Sequence, residues 1–452
     1  MSSSTENLAL IVLAAGKGTR MKSQTPKVMH SVAGRPMVDW ALAAGQDLGP
    51  QRVVVVLGPE LEDQAERFAP HDVVIQRERK GTGHAVDQAR GVLTGFDGFG
   101  LVIFGDTPMA TTQGMQSMLQ AAHDDAAAVV LGAFEREDGS GYGRVVLDAG
   151  GAPTKIVEQK DASPKELSIT TLNGGFMLVK LPLLWSLLDL IDDQNAQGEY
   201  YLTDVLALAY QAGHKTSLAW LDEEELQGVN DRVQLAKVEA TAQARLRNAA
   251  MLNGATLVDP NTVTFSFDTS LGSDVTVEPN VVFGPGVRVA DGATIRAFSH
   301  LEQALVSRDC VVGPYARLRP GTVLRDRAKV GNFVEVKNAD LGEGAKANHL
   351  SYLGDATVGA KANIGAGTIT CNYDGFNKAR TDIGGAAFVG SNSALVAPVR
   401  IGEGAIIAAG SVVNEDVPAD ALAVGRARQS NKEGLAARFR QKAKAQKESG
   451  QQ

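Results

Sequence analysis

The feature that most constrains the fold is a six-residue period in the second half of the chain. Leu318, Leu324, Val330 and Val336 recur at this spacing, and so do Ile383, Val389, Leu395, Ile401, Ile407 and Val413. Small residues follow four positions later in the second series, at Ala387, Ser393, Ala405 and Ser411, with Val399 the exception. Each hexad supplies one short strand with its apolar residue turned inward, small residues and glycine make the turns, and three hexads close a triangular coil. The period predicts a parallel β-helix.

The register breaks once. Ile364 and Ile383 are 19 residues apart, one more than three hexads, and between them lies the polar, turn-forming run Thr370-Cys371-Asn372-Tyr373-Asp374-Gly375. Such a run reads as an excursion from the coil, and loops carried by a rigid scaffold are where function concentrates. His349 comes shortly before it, with Arg319, Glu335, Lys337, Tyr352 and Asn363 a few coils away at most. An imidazole is suited to accept a proton near neutral pH, which makes His349 a candidate general base within this convergence of polar groups.

The first half has a different rhythm. Val/Ile-rich runs at 53–57, 101–104, 127–131 and 145–147 alternate with longer helical patterns, as expected of an α/β sheet. Leu8, Leu10, Ile11, Val12 and Leu13 predict a buried strand that runs into Gly16-Lys17-Gly18-Thr19-Arg20-Met21 and, six residues later, Pro26-Lys27. Glycines at a strand end let the backbone approach a phosphate, and Lys17, Arg20 and Lys27 can offset its charge. A dinucleotide fingerprint would need glycine at Met21, and a Walker A loop would need four residues between its glycines, so neither fits. The longer pattern is similar to the signature of sugar-phosphate nucleotidylyltransferases. Between the halves, glycine and proline vanish over 230–252, which predicts one helix about 30 Å long joining two domains.

With 452 residues, 44% of them hydrophobic and a net charge of −8, the chain is large enough for two or three domains and argues against nucleic acid as main partner. Six Lys/Arg after Ser430 read as a solvated tail. Two cysteines offer neither a disulfide framework nor a CxxC metal pair, which fits the cytosol. No basic residue precedes the apolar run 8–15, and no apolar stretch approaches 18 residues, so neither a secretory leader nor a membrane span is expected.

Further motifs extend over nearly the whole chain: Gly81-Thr82-Gly83-His84-Ala85, Gly105-Asp106, Gly141-Tyr142-Gly143-Arg144, Ile156-Val157-Glu158, the run from Asn195 to Tyr201, and Gly228-Val229-Asn230. Arg317-Leu318-Arg319-Pro320-Gly321, Val330-Gly331-Asn332-Phe333-Val334-Glu335, the run from Gly365 to Gly375 and Val389-Gly390-Ser391 follow. In this order they resemble the GlmU family, the bacterial bifunctional N-acetylglucosamine-1-phosphate uridyltransferase/glucosamine-1-phosphate N-acetyltransferases. Two departures are Phe104, where the family often has Tyr, and Asn173-Gly174-Gly175 in place of Asn-Thr-Gly.

The resemblance implies an α/β then β architecture. A Rossmann-like nucleotidyltransferase domain would cover 1–229, a connecting long helix 230–252, and a left-handed β-helix of hexapeptide repeats 253–452. It implies acetylation of glucosamine 1-phosphate by acetyl-CoA, then UMP transfer from UTP to N-acetylglucosamine 1-phosphate. The products would be pyrophosphate and the UDP-N-acetylglucosamine used for peptidoglycan and lipopolysaccharide precursors. By position, Leu13, Ala14, Ala15, Gly16, Gln76, Gly81 and Thr82 would hold uracil and ribose, with Gly105 beside them, and Gly143, Glu158 and Asn173 the acetylated sugar. Asp106 and Asn230 would bind Mg²⁺, while Arg20 and Lys27 neutralise phosphate charge. Arg319, Lys337, Tyr352 and Asn363 would hold glucosamine 1-phosphate, and Ala366, Asn372, Tyr373, Ser391, Ala409 and Arg426 acetyl-CoA. Ser391 would stabilise the oxyanion and Glu335 orient the His349 imidazole. The expected assembly is a homotrimer with acetyl-transfer sites between adjacent β-helices, without nucleic-acid or membrane partners. A single-activity nucleotidylyltransferase with a purely assembling β-helix, as in ADP-glucose or GDP-mannose pyrophosphorylases, is disfavoured by His349 with Asn372, Tyr373 and Ser391.

Overall fold

The computed structural model describes residues 7–450. They fall into two compact units, Met1–Ala249 with Phe265–Phe267, and Ala250–Thr264 with Asp268–Gln452.

The first unit is built on a nine-stranded sheet whose main path runs Thr216–Trp220, Val129–Glu135, Thr171–Lys180, Phe99–Phe104, Leu8–Ala14, Arg52–Leu57, Asp72–Ile75. Thr171–Lys180 pairs antiparallel with both its neighbours, and the other pairs on this path are parallel. The strand Leu8–Ala14 is buried throughout because it is covered on both faces. Leu8, Leu10, Val12 and Ala14 pack with the helices Met37–Gln46 and Thr112–Asp124, while Ala9, Ile11 and Leu13 pack with Leu181–Leu188 and Asp204–Gln211. From this strand the chain steps outward to Arg52–Leu57, then returns to its other side at Phe99–Phe104. That reversal opens a crevice at the carboxyl ends of the two central strands, the usual ligand position in an open α/β sheet.

The helix expected as a connector forms over Arg232–Leu252, but most of it belongs to the first unit. Val238 and Ala242 are buried against Met21, Val32, Met37 and Val229. The Gln243 amide donates to the Phe265 carbonyl at 2.7 Å and accepts from the Phe265 N–H at 2.8 Å, as a neighbouring strand would. Phe267 then donates its N–H to Ala33 at 2.8 Å and packs edge-on to Trp40. The sequence run contains good helix formers, and it is the burial of Val238, Ala242 and Gln243, with Val233 and Leu252 left exposed, that shows which face packs.

The second unit is a parallel β-helix. The periodic residues Leu318, Leu324, Val330, Val336, Val389, Leu395 and Ile407 are fully buried, and the strands on each face pair in parallel from coil to coil. Hydroxyls at the small positions satisfy themselves locally, since Ser393 donates to the Gly390 carbonyl at 2.7 Å and Ser411 to that of Ala408 at 2.6 Å. The coil turns use left-handed backbone in register: Asp309, Arg327, Lys361 and Ala386 all have φ between 53° and 60°. The basic tail forms a helix, Leu435–Glu448, with no buried residue.

The register break is larger than the sequence spacing suggests. Val358 pairs with Ile383 and Ile364 with Val389, 25 residues on, whereas Leu341 pairs with Val358 after 17 and Ile383 with Ile401 after 18. Ile364 to Ile383 is therefore two hexads plus an insertion of seven. Thr370 and Cys371 were expected in the excursion but lie in the strand Ile369–Cys371, paired with Leu395 and Val396. Thr370 is fully buried, its hydroxyl bonded to the Gly354 backbone, so a threonine stands in for the aliphatic residue and hides the period. The excursion runs from Asn372 and is closed by a bridge between Tyr373 and Lys378.

Candidate active sites

In the first unit, the strand Leu8–Ala14 delivers Ala15 and Gly16 to the crevice, and the strand Phe99–Phe104 delivers Gly105 and Asp106 beside them, with the Gly105 N–H bonded to the Leu13 carbonyl at 2.9 Å. Gly18 has φ +61°, and a Cβ there would lie 2.5 Å from that of Lys27, so glycine lets Lys27 cross under the loop. Lys27 Nζ reaches the Asp106 carboxylate and lies 3.2 Å from Asn230 Oδ1. Asn230 is held in turn by the backbone bond from the Val229 N–H to the Asp106 carbonyl, 2.9 Å. Two hard oxygen donors thus converge where a cation already stands, which suits a divalent ion with few protein ligands. A cavity of about 420 Å³ opens here, lined by Leu13, Ala15, Gly16, Lys27, Gln76, Gly81, Thr82, Asp106 and Asn230. Arg20 is exposed at the loop and does not line it.

Gln76, at the end of the strand Asp72–Ile75, is 4% exposed. Its Nε2 donates to the Gly81 carbonyl at 3.0 Å and faces His84 Nδ1 at 3.2 Å. Both N–H groups of this amide face protein partners, so in the fold only its oxygen is left for a ligand.

Gly143, Glu158 and Asn173 come together beside a second cavity of about 370 Å³, which Glu158 lines with Asp161, Tyr201 and Asp204. Asn173 donates its N–H to the Gly143 carbonyl at 2.9 Å. Burial raises the Glu158 carboxyl above its ordinary range, opposed by a bond from Thr203 and reinforced by Asp161 and Asp204. Burial likewise raises Asp204. At Gly174, where the family has Thr, a Cβ would lie 2.3 Å from Leu226 Cδ1. Leu226 fills the space that a side chain there would need.

In the second unit, parallel pairing stacks Arg317, Glu335 and Tyr352 in one column and Asn332 with His349 in another. The exposed His349 takes Asn332 as partner, Nδ1 to Oδ1 at 2.7 Å. Glu335, expected to orient this imidazole, instead accepts from Arg319 at 2.8 Å. Lys337 lies 3.8 Å from Asp355, which also accepts from Asn338 at 2.6 Å and from Asn372 at the start of the excursion. Burial opposes ionisation of Asp355, but the bonds from Asn338 and Asn372 and the charge of Lys337 hold its carboxyl below the usual range. Asn363 is half-buried on the next strand, and Tyr373 is exposed, its hydroxyl bonded to Gly375 at 2.6 Å. Ala366 accepts from the Asn392 N–H at 2.7 Å next to the exposed Ser391. Arg426 donates to the Ala409 carbonyl at 2.7 Å.

Sequence reasoning passed over Asp355, Asn332, Arg79 and His84. Asp355 sits inside an ordinary strand and Arg79 in a charged run, so neither carries a local signal. Yet Arg79 Nε donates to the Ala15 carbonyl at 2.8 Å and fixes the loop start. Asn332 and His84 do lie within recognised motifs, and their neighbours become visible only when the chain folds back.

A model of the MobA-like NTP transferase domain matches residues 10–214. Over the full length, the chain is 53% identical to the bifunctional protein GlmU of Paramagnetospirillum magneticum across 442 residues, covering 97% of this chain and 98% of that protein. It is 48% identical to bifunctional protein GlmU of Zymomonas mobilis, covering 96% and 98%, and 52% identical to that of Sphingopyxis alaskensis, covering 96% of each. A chain that shares half its residues with these proteins from end to end, and that combines a nucleotidyltransferase sheet with a β-helix, belongs to the GlmU family.

Proposed function

We propose that the chain is a bifunctional transferase that acetylates glucosamine 1-phosphate with acetyl-CoA and then couples the product to UMP from UTP. This yields pyrophosphate and UDP-N-acetylglucosamine for peptidoglycan and lipopolysaccharide precursors. The observation that carries the reading is the convergence of the Asp106 and Asn230 oxygens on Lys27 at the mouth of the nucleotide-sized cavity, in a chain whose other unit holds His349 against Asn332.

In uridyl transfer, a phosphate oxygen of the sugar 1-phosphate attacks the α-phosphorus of UTP, and the bond to pyrophosphate breaks. The nucleophile is already an anion, so no base is needed and catalysis rests on alignment and charge neutralisation. Leu13, Ala14, Ala15, Gly16, Gly105, Gln76, Gly81 and Thr82 hold the nucleotide, Gly143, Glu158 and Asn173 the sugar, and Arg20 and Lys27 the phosphates. Asp106 and Asn230 would hold Mg²⁺, which supplies positive charge to the phosphate oxygens.

In acetyl transfer, the amine of glucosamine 1-phosphate attacks the thioester carbonyl, His349 takes its proton, and CoA leaves as the thiol. Arg319, Lys337, Tyr352 and Asn363 hold the sugar phosphate; Ala366, Asn372, Tyr373, Ala409 and Arg426 hold acetyl-CoA, with Ser391 at the oxyanion. The free thiols Cys310 and Cys371 support a reducing compartment, the cytosol. Among the described residues no helix is long and apolar enough to cross a membrane. A homotrimer is supported by an apolar ladder on the β-helix. The rings of Phe298, Tyr315 and Phe333 stack at 4.9 and 5.2 Å, and Leu350 follows; all are about half exposed in the single chain. The test is an assay with UTP, glucosamine 1-phosphate, acetyl-CoA and Mg²⁺, scored for free CoA and pyrophosphate. Both must appear; CoA without pyrophosphate, or the reverse, rejects the bifunctional reading.

A further inference from the structure

We propose that His84 is a positioning residue that sets nucleotide-base specificity by locking the Gln76 amide with its oxygen toward the base. The inference rests on the reading of Gln76 as the residue that meets uracil. The amide is buried at 4% exposure, and the Gly81 carbonyl, which can only accept, lies 3.0 Å from one end of it. That end is therefore the nitrogen. Its second proton points at His84 Nδ1, 3.2 Å away, which must then be the unprotonated ring nitrogen. On the ring's far side, Nε2 lies 3.3 Å from the amide nitrogen of Gln88, which donates to the His84 carbonyl at 3.0 Å. A neutral imidazole carries one ring proton and can accept at only one of these two contacts. The Gln76 contact is the shorter and lies at the more deeply buried amide, and Gln88 keeps its bond to the His84 carbonyl without the ring, so the accepting nitrogen is assigned to Nδ1.

Both Gln76 N–H groups are thereby spent, and Oε1 has no protein partner among the described residues, while the side chain lines the cavity. Uracil offers an N3–H donor where cytosine offers a lone pair. An oxygen held toward that position accepts from the first and repels the second. Without His84 the amide keeps one of its two restraints, and the reversed amide, which suits cytosine, becomes accessible.

The test compares kcat/KM for UTP and CTP with N-acetylglucosamine 1-phosphate, in full-length His84→Ala, His84→Asn and Gln76→Ala. His84→Ala should lower the UTP:CTP ratio about five- to tenfold, the weight of one neutral hydrogen bond on each side of the comparison. His84→Asn, whose Oδ1 falls where Nδ1 was, should keep the ratio within about twofold of the unsubstituted protein. An unchanged melting transition and far-UV circular dichroism of the full-length protein report that each variant is folded. An unchanged ratio in His84→Ala with a collapsed ratio in Gln76→Ala overturns the role of His84 and leaves Gln76 as reader. An unchanged ratio in Gln76→Ala removes the reading on which the inference rests. A loss in His84→Ala that His84→Asn fails to restore makes the effect one of packing, and also overturns it.

Discussion

Lys27 pairs with Asp106 while leaning on Asn230, and the three come from positions 27, 106 and 230 in the chain. Each was legible as a candidate because it closes a sequence motif, but their convergence on one point was not, since strand order is set by tertiary packing. Asp106→Ala removes one of the two hard oxygens there and should abolish uridyl transfer while leaving acetyl transfer within about twofold, because only one chemistry draws on that cluster. Thioester cleavage and pyrophosphate release measured on the same folded variant decide this, and parallel loss of both defeats it. At the other site, His349 was legible as a base but its partner was not: Glu335 is the nearer in sequence, 14 residues away against 17 for Asn332, yet Arg319 claims Glu335. His349→Ala should cost roughly 10²–10⁴-fold in acetyl transfer, the range of general acid–base catalysis, with uridyl transfer unchanged. A folded variant that keeps near-full acetyl transfer would make His349 structural.

Elements show where periodicity succeeds as a guide and where it stops. The hexads were readable because each inward residue is a large aliphatic side chain. The insertion was misjudged because at Thr370 the inward position is filled by a threonine whose hydroxyl finds backbone partners. Since Thr370 and Thr381 are both fully buried on the coil, the residues between Asn372 and Arg380 are an appendage to it. Replacing 373–378 by a short Gly-Ser link should therefore preserve the cooperative melting of the β-helix while reducing acetyl transfer by at least about 100-fold. Unfolding of the coil would refute that independence. The appendage is anchored through Asn372 to Asp355, whose carboxyl is held low despite burial by Asn338, Asn372 and Lys337. A depressed folded-state carboxyl contributes stability that is present above its unfolded range and lost as pH falls through the folded one. Asp355→Ala should lower the stability of the second unit by about 3 kcal/mol near neutrality, leaving two amides without their charged acceptor. That deficit should shrink on acidification, as read from melting curves across pH; a deficit that stays constant into acid would show that the ionised carboxylate is not its source.

At the scale of the molecule, the change of rhythm from βα alternation to hexads announced two units, while the assignment of the long helix did not follow from composition. Ala-rich sequence makes a helix in either setting, and only the burial of Val238, Ala242 and Gln243 shows which core it serves. Assembly is a separate question, to which the apolar ladder speaks. Phe298, Tyr315 and Phe333 stand one coil apart at left-handed turn positions, with φ from 55° to 60°, where bulky residues are disfavoured by local sterics. Three aromatic rings kept at such positions, half exposed and stacked on one another, gain most if a further surface removes them from water. Phe333→Arg puts a charge in the middle of the ladder, next to Asn332, the partner of His349. If the ladder is covered by a second copy of the chain, the variant should shift from trimer to monomer in light scattering. It should also lose acetyl transfer by at least about tenfold if the active site is completed by that copy, and keep uridyl transfer, which the proposed mechanism assigns to the first unit. A variant that remains trimeric with both activities intact would take the ladder out of the assembly and leave its stacking as the whole reason for the three rings.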